Sequence, residues 1–305
     1  MSLPTRRALV AGSLGALLAS ACAPVQVSVD PRQDPTSAVP GETGSAVPSP
    51  TPSPTPSPTP SPTPTIEPTS LMPGTNHNHE AVAYAHPAAT VHDWLEGNVE
   101  ATEKVVFLTF DDGPNDSITP QVLDILAKHE IVGTFFVVGN AIGDAPQMLE
   151  RQIVEGHSIA LHSYTHNYKV LYPGRHGDAD AVADEFDRTL AAVREVLGEE
   201  FTTGAWRYPG GHMSWKSMEG PDAALAERGA SWIDWNSMTG DAEPKNRRPT
   251  TVDGMVAMAT APITDGVNVS VMLAHDSGGK DLTVASLPDI IEAYKSAGYT
   301  FGVIA

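Results

Sequence analysis

The chain has 305 residues, enough for one large domain or two small ones, and a formal net charge of -19 from 18 Lys and Arg against 37 Asp and Glu. That charge repels nucleic-acid phosphates and anionic lipid headgroups, and no local basic patch offsets it, so the composition argues against a nucleic-acid partner. The single Cys excludes a disulfide framework and a thiolate zinc cluster. Any metal must therefore bind to His and carboxylate side chains.

Residues 1–22 have the features of an export signal. Arg6 and Arg7 precede an apolar run that is too short to span a bilayer and fits the core of a signal peptide, with a loose resemblance to a twin-arginine signal. Cys22 follows Ala-Ser-Ala, as in a bacterial lipoprotein box whose Cys is lipidated and becomes the first residue. A plain secretory signal, with Cys22 incidental, fits the same residues. Both interpretations predict an extracytoplasmic protein that touches the membrane only through a lipid anchor, if at all.

Residues 23–98 are predicted to be a disordered linker rich in Pro, Ser and Thr. His77 and His79 are assigned to it as solvated residues, and a loose metal site at 77–80 is the alternative. From Pro48 to Pro64 a proline occupies every second position. Such a segment should be an extended spacer that reaches roughly 50 Å at ~3.1 Å per residue. A membrane anchor followed by this spacer would hold a folded head out into a cell wall.

Residues 99–305 alternate apolar, strand-like runs with helical patterns, which predicts a parallel sheet and, at this length, an α/β barrel. The predicted strands are 105–110, 134–138, 158–161, 203–206, 231–235, 269–273 and 300–304. The predicted helices are 120–130, 146–155, 179–197, 222–228, 252–260 and 286–297. In such barrels the chemistry lies at the carboxyl ends of the strands.

Polar side chains follow the first and third predicted strands at that end. Asp111 and Asp112 end the first strand, and two buried acids are unfavourable unless they have a function or reach water. His162 and His166 lie four residues apart, on one face of a helix or tight turn, which suits a zinc-like ion. Together with Asp112 they would leave one coordination position for water, as in a catalytic metal site. A polar strand end and two unrelated surface histidines are the alternatives.

Three later strands add candidates that are ambiguous singly. Arg207 could pair with a carboxylate and hold it ionised, or be a solvated rim residue. Trp232 and Trp235 suit stacking on sugar rings as well as packing in a core. His275 is a candidate general acid or a structural histidine.

In this order, the strand ends resemble the polysaccharide deacetylase family, which includes chitooligosaccharide, chitin and peptidoglycan deacetylases and acetyl-xylan esterases. The matching motifs are TFDDGP at 109–114, HSYTH at 162–166, RYPGG at 207–211, the stretch 235–241 and LAH at 273–275. The resemblance covers about residues 100–305. The first two motifs are the most specific.

The resemblance implies a distorted (β/α) barrel with fewer than eight strands and a divalent metal, often Zn²⁺, with Co²⁺, Mn²⁺ or Ni²⁺ as other candidates. The implied metal ligands are Asp112, His162 and His166. The implied catalytic residues are Asp111 as general base, Arg207 as its ion-pair partner, His275 as general acid, and Asp241 as the group that orients and charges His275.

The resemblance also implies how the substrate binds. Trp235 and Leu273 would line the acetyl pocket, and a backbone N–H, of Tyr208 or Gly210, would help to bind the oxyanion. The third motif usually has an aromatic residue where this chain has Gly210, and the fourth often has an acid and a Trp where Met238 and Ala242 stand. These departures affect the inferred substrate more than the inferred chemistry.

The predicted function is that of an exported hydrolase of carbon–nitrogen bonds, which removes N-acetyl groups from a cell-wall polysaccharide. Peptidoglycan N-acetylglucosamine is favoured because an anchored protein with a wall-length spacer meets it first. An O-acetyl esterase on xylan or another acetylated polysaccharide and a chitin or chitooligosaccharide deacetylase remain alternatives. An inactive glycan-binding protein and a structural wall protein do too. The sequence assigns no oligomeric state.

Overall fold

The computed structural model describes residues 67–305. The predicted export signal with Cys22, and the spacer up to residue 66, lie outside the described residues. The strands are β1 Ala85–His86, β2 Val105–Asp111, β3 Thr134–Val137, β4 Ser158–Leu161, β5 Ala205–Trp206, β6 Ser231–Trp232, β7 Ser237–Met238, β8 Val269–His275, β9 Thr300–Phe301 and β10 Val303–Ile304. The helices are α1 Ala88–Leu95, α2 Thr119–His129, α3 Gly139–Ile142, α4 Pro146–Val154, α5 Tyr168–Leu171, α6 Ala179–Leu197, α7 Glu219–Ala226, α8 Val252–Ala259, α9 Ala261–Asp265 and α10 Asp281–Ser296.

The main sheet is parallel and has the order β6-β5-β4-β3-β2-β8-β7, with β9 pairing beside it on β2. The strands therefore follow one another around a curled sheet in chain order, and β8 closes against β2 along seven residue pairs, from Val105↔Val269 to Asp111↔His275. Within the described chain, β6 and β7 are not paired with each other, so the barrel is open at that seam. The predicted distorted (β/α) barrel with about seven strands is confirmed.

The two faces of β2 explain why this strand is apolar without interruption. Val106, Leu108 and Phe110 pack outward in the large core between the sheet and the helices. Val105 and Phe107 point inward, to a second core within the barrel. A strand covered on both faces by other elements lacks the polar alternation of a surface strand.

The same alternation along the strands places four candidate residues on the inner side of the barrel. Inward positions on β2, β4, β5 and β8 include Phe107, Ala160, Ala205 and Val271. Continuing each strand in steps of two leads to a polar residue at its carboxyl end. These residues are Asp111, His162, Arg207 and His275.

The fifth predicted strand, 231–235, is shorter in the structure because the chain crosses the open seam after Trp232. There the side chain of Asn236 takes the place of a pairing strand. Its Nδ2 donates to Val269 O (2.8 Å) and its Oδ1 accepts from Val271 N (2.9 Å). Strand β7 follows immediately, and its two residues were too few to be predicted from an alternating pattern.

The predicted start of the folded domain at residue 99 is too late. Asn76, 1% exposed, donates from Nδ2 to Ile159 O, Thr203 Oγ1 and Ile304 O. Helix α1 buries Val91, and His92 Nδ1 donates to Trp232 O (2.9 Å) at the edge strand β6. This segment is anchored by hydrogen bonds to residues far away in the sequence, which no local sequence pattern shows. Residues 67–98 are therefore part of the domain.

Two further predictions for that segment are corrected in the same way. His77 is 4% exposed rather than solvated, and its Nδ1 donates to the backbone oxygen of the buried Asn78 (2.8 Å). Strand β1 pairs with β10 through Ala85↔Val303 and His86↔Ile304. The chain before β2 therefore packs on the last strand of the domain.

Candidate active site

A cavity of about 260 Å³ opens at the carboxyl ends of the strands. It is lined by Asp111, Asp112, His162, His166, Tyr168, Gly210, Trp235, Met238, Gly240, Asp241, Ala242, Glu243, Leu273 and His275. The structure thus brings together nearly all of the residues that the motifs had singled out. Arg207 lies directly behind them, fully buried.

Asp112, His162 and His166 form a cluster with the chemistry of a metal site. One ligand atom from each lies within 4.8 Å of the others. Asp112 Oδ1 is 3.6 Å from His162 Nε2 and 3.3 Å from His166 Nε2. Ligands at ~2.0–2.1 Å around a tetrahedral ion are about 3.3–3.4 Å apart, so the cluster fits an ion such as zinc. Asp112 Oδ1 is also buried and has no hydrogen-bond partner, as expected of an atom whose natural partner is a cation.

His162 is held in the form that binds metals. Its Nδ1–H donates to Arg207 O (2.8 Å), which leaves the unprotonated Nε2 directed at Asp112. Burial first, and then the nearby His166, lower the pKa of His162 to about 3. The ring is therefore neutral at physiological pH, and its lone pair is available.

The spacing of the two histidines is achieved by a tight turn, one of the two geometries the sequence allowed. Residues 162–166 are not helical, and Ser163 and His166 have left-handed backbone angles (φ 66° and 52°). Asp112 is also left-handed (φ 73°), which lets it reach the cavity although strand alternation would direct it outward. Such angles are unfavourable for residues with a side chain and are typical of functional sites.

The histidine turn is tied to helix α6 by Glu185, a residue that sequence reasoning missed. Its Oε2 accepts hydrogen bonds from Tyr164 N and Thr165 N, and its Oε1 accepts one from Thr165 Oγ1, all 2.7 Å. Glu185 is 1% exposed. A usable signal existed, because Glu185 lies among Val182, Phe186 and Thr189 on the buried face of the helix, where an unpaired acid would be unfavourable.

We expect Glu185→Gln to weaken metal binding by roughly 10–100-fold, the usual effect of removing a group that orients a ligand-bearing loop. The amide oxygen cannot accept all three hydrogen bonds, so the turn carrying His166 loosens. Competition with a chelator measures the affinity. Glu195→Gln, at an exposed position of the same helix, is the control. Wild-type affinity in Glu185→Gln would show that the turn holds its shape without this carboxylate.

Asp111 and Arg207 form a buried ion pair beside the metal cluster. Arg207 Nη1 is 2.7 Å from Asp111 Oδ1 and 2.7 Å from Thr109 Oγ1, and Nε donates to Ile233 O (2.9 Å). Burial raises the pKa of the Asp111 carboxyl, and the Arg207 charge opposes this rise. The carboxylate is thus fixed in place, and its pKa lies above that of an ordinary Asp.

His275 and Asp241 form a second pair at the end of β8, the strand next to β2, where His275 is the register partner of Asp111. His275 Nδ1 donates to Asp241 Oδ1 (2.7 Å), and Thr283 Oγ1 donates to Asp241 Oδ2 (2.7 Å). Burial lowers the pKa of His275, but the hydrogen bond and charge of Asp241 outweigh burial and raise it above its ordinary value. Burial acts against ionisation of Asp241 too, yet the His275 interaction lowers its pKa to about 2.

The candidate substrate residues divide into those at the cavity and one that faces away. Trp235, Leu273 and Gly210 line the cavity. The Tyr208 side chain is fully buried, and its hydroxyl donates to Asp222 Oδ1 (2.9 Å). Only the backbone of Tyr208 can therefore take part in binding. Tyr168 lines the cavity, although no motif drew attention to it.

Comparisons with known proteins identify the family of the chain that carries this site. The family profile described as Polysaccharide deacetylase matches residues 98–220. The solved structure of a Streptococcus mutans CE4 esterase is 45% identical in sequence, covers 79% of this chain and 100% of its own, and superposes with a TM-score of 0.74. The chain belongs to the polysaccharide deacetylase family. The resemblance seen in the motifs is thereby confirmed.

Other members of the polysaccharide deacetylase family have different names and lengths. The chain is 31% identical over 200 residues to a peptidoglycan-N-acetylglucosamine deacetylase of Bacillus cereus, covering 65% of this chain and 68% of that one. It is 30% identical over 211 residues to a chitooligosaccharide deacetylase of Sinorhizobium fredii, covering 64% and 87%. It spans only 31% of a bifunctional xylanase/deacetylase of Pseudobutyrivibrio xylanivorans, with 29% identity over 210 residues, 68% of this chain.

Membership of the polysaccharide deacetylase family makes the chain a hydrolase of N-acetyl amide bonds in carbohydrates. The family is metal-dependent in general, which agrees with the cluster of Asp112, His162 and His166. The predicted enzyme class is confirmed at this level.

Proposed function

We propose that the chain is an exported, zinc-dependent deacetylase that removes the N-acetyl group of N-acetylglucosamine in peptidoglycan. One observation carries the proposal: the cluster of Asp112, His162 and His166 shares a single cavity with Asp111 and His275. Two imidazoles and one carboxylate are donors typical of catalytic zinc, and Co²⁺, Mn²⁺ and Ni²⁺ can use the same donors.

Asp111 is the proposed general base. When bound, the metal lowers the pKa of water toward ~7 and polarises the acetyl carbonyl. Asp111 accepts the proton of the attacking water, while Arg207, 2.7 Å away, keeps the carboxylate oriented. Asp112 is left to bind the cation, so the two adjacent acids have separate tasks.

The oxyanion and the leaving amine are stabilised by other groups. Within residues 67–305, the backbone N–H groups of Tyr208 and Gly210 donate to no backbone carbonyl. Either can donate to the developing oxyanion, an interaction worth roughly 3 kcal/mol. His275 gives its Nε2 proton to the amine, since its Nδ1 is bonded to Asp241.

Peptidoglycan is the proposed substrate because of relatives with that activity in their names and because of the predicted spacer. The B. cereus relative is named for peptidoglycan N-acetylglucosamine. The relatives named for chitooligosaccharide and xylan support the alternatives, a chitooligosaccharide deacetylase and an O-acetyl esterase. The proposed site can attack esters as well as amides, so the choice rests on the substrate and not on the chemistry.

The location of the enzyme is part of the proposal. The export signal at 1–22, lipidation of Cys22 and the spacer would keep the domain outside the cytoplasmic membrane, next to the wall. Among residues 67–305 there is no helix whose length and apolar content would let it cross a membrane.

The test of the proposed function is the product formed from cell-wall peptidoglycan. The full chain, loaded with Zn²⁺, should release acetate and leave free amines on N-acetylglucosamine residues, which mass spectrometry of muramidase fragments detects. Chitin oligomers and acetylated xylan are compared at equal acetyl concentration. Acetate released only from acetylated xylan would replace the proposal with the esterase alternative.

Asp241→Asn should move the alkaline limb of the kcat/KM profile to lower pH. His275 acts in its charged form, and Asp241 raises its pKa, so removal of the carboxylate lets His275 lose its proton at lower pH. Thr283→Val is the matched control because it removes a hydrogen bond to Asp241 but keeps the charge of Asp241. The alkaline limb of its kcat/KM profile should not move to lower pH.

His275→Ala should lose more activity on an N-acetylglucosamine oligomer than on an activated acetyl ester. An amine leaves poorly without a proton, whereas an activated phenolate needs none. Equal losses on both substrates, together with an unmoved limb in Asp241→Asn, would leave His275 as a wall of the pocket.

A further inference from the structure

The space beside Gly210 is filled by aromatic side chains from other parts of the chain. Gly210 is left-handed (φ 81°), and a Cβ there would lie 3.2 Å from Trp215 Cζ2 and 3.4 Å from Tyr168 Oη. A Cβ at position 210 would thus press on the Trp215 ring and touch the Tyr168 hydroxyl. The cavity wall next to the metal cluster is therefore built from elsewhere in this chain.

Tyr168 is held in position by its neighbours. Its ring centroid is 5.3 Å from that of His166 and 5.2 Å from that of Trp215, against which it packs edge-on (64°). Trp215 is stacked on Tyr172 (3.9 Å, 13°), and its Nε1 donates to Pro209 O (2.9 Å). The ring of Tyr168 thus has a defined place in a network of aromatic contacts.

Despite these contacts, Tyr168 remains accessible at the mouth of the cavity. Its exposed fraction is 43%, and it lines the same cavity as Asp112, His166 and Gly210. A large ring that is partly exposed at a hydrolytic centre offers a flat, apolar face to a bound substrate. The apolar face of a sugar ring is a suitable cover, because aromatic rings bury much area with little loss of side-chain entropy.

We propose that Tyr168 is a specificity-determining residue whose ring forms the sugar-binding wall beside the metal cluster, in place of a side chain at position 210. The proposal rests on the proposed function, since it concerns how the same site holds its glycan. The occupant of the wall is a pyranose ring of the polysaccharide next to the acetyl group that is removed. A small acetyl ester without a sugar makes no use of it.

The test compares variants of the full chain on an N-acetylglucosamine oligomer and on 4-nitrophenyl acetate. Tyr168→Leu keeps apolar packing against Trp215 and His166 but removes the flat ring. We expect its kcat/KM on the oligomer to fall about tenfold, mainly through KM, with unchanged activity on the ester and unchanged zinc content. Tyr168→Phe should stay within about threefold of the wild type on both substrates.

Val170→Ala is the matched control, since Val170 is 44% exposed on the same short helix α5 and does not line the cavity. It should behave as the wild type. Loss of zinc in Tyr168→Leu would overturn the proposal and show that the ring supports His166. Equal losses of kcat/KM on both substrates, or no loss on either, would also overturn it. So would a loss in Tyr168→Phe as large as in Tyr168→Leu. A wild-type enzyme that is inactive on every N-acetylated glycan would instead reject the proposed function.

Discussion

Replacing His162 or His166 with Ala should remove bound metal and nearly all hydrolytic activity. Each substitution takes one of three donors from a cluster whose ligand atoms lie within 4.8 Å of one another. Two remaining donors cannot hold a catalytic ion, and the stabilisation that the ion supplies amounts to several kcal/mol. Each 1.36 kcal/mol of lost transition-state stabilisation lowers the rate tenfold, so kcat/KM should fall by roughly 10³-fold or more.

The measurement is metal content after dialysis, together with kcat/KM on an N-acetylglucosamine oligomer. His176→Ala is the control, because His176 is exposed and its Nδ1 contacts only Ser217 Oγ (3.0 Å). It should keep metal and activity. Circular dichroism shows whether each variant is folded. A folded His162→Ala enzyme with one equivalent of metal and wild-type turnover would move the catalytic centre elsewhere.

Asp111→Asn should keep the metal but reduce kcat by roughly 10²–10⁴-fold, the usual contribution of a general base. The amide preserves the shape of the side chain and can still accept a hydrogen bond from Arg207 Nη1, but it cannot take a proton from water. The change also leaves the Arg207 charge without its buried partner, so the free energy of unfolding should fall, by about 3–5 kcal/mol if the pair is fully lost.

Asp234→Asn controls for the stability effect. Asp234 is also buried and accepts hydrogen bonds from His212 N and Met213 N, outside the metal cluster. It should lower stability but leave kcat within a few-fold of the wild type. Metal analysis separates the roles of the two adjacent acids. An Asp111→Asn protein that is folded, inactive and free of metal would make Asp111 a ligand and end the division of tasks between Asp111 and Asp112.

Much of the fold could be predicted because its signals are local. Strand β4 and helix α6 have the predicted bounds, since an apolar run and a helical pattern are visible within a few residues. The segment 67–98 could not be recognised. Asn76 bonds to residues 83 and 228 positions away, and no local pattern records such contacts.

For the site, too, some features could be predicted from the sequence and others required the structure. Residue types at the strand ends, together with the family resemblance, selected Asp111, His162, Arg207 and His275, and in the structure a period of two places each of them on the inner side of a strand. The resemblance implied Asp112 as the metal ligand, although strand alternation by itself would direct that residue away from the cavity. The tertiary structure shows how Asp112 reaches the histidines, since its backbone is left-handed (φ 73°) at the end of the strand.

The sequence by itself thus determined the barrel and the residue types at the site. Only the tertiary structure decided how those residues are supported. Glu185 holds a turn 20 and 21 residues away, and Tyr168 fills the space beside Gly210. Alternation and helical periodicity arise from the local geometry of the backbone and can be read along the chain. Contacts between distant segments depend on how helices and loops pack, which no short stretch of sequence encodes.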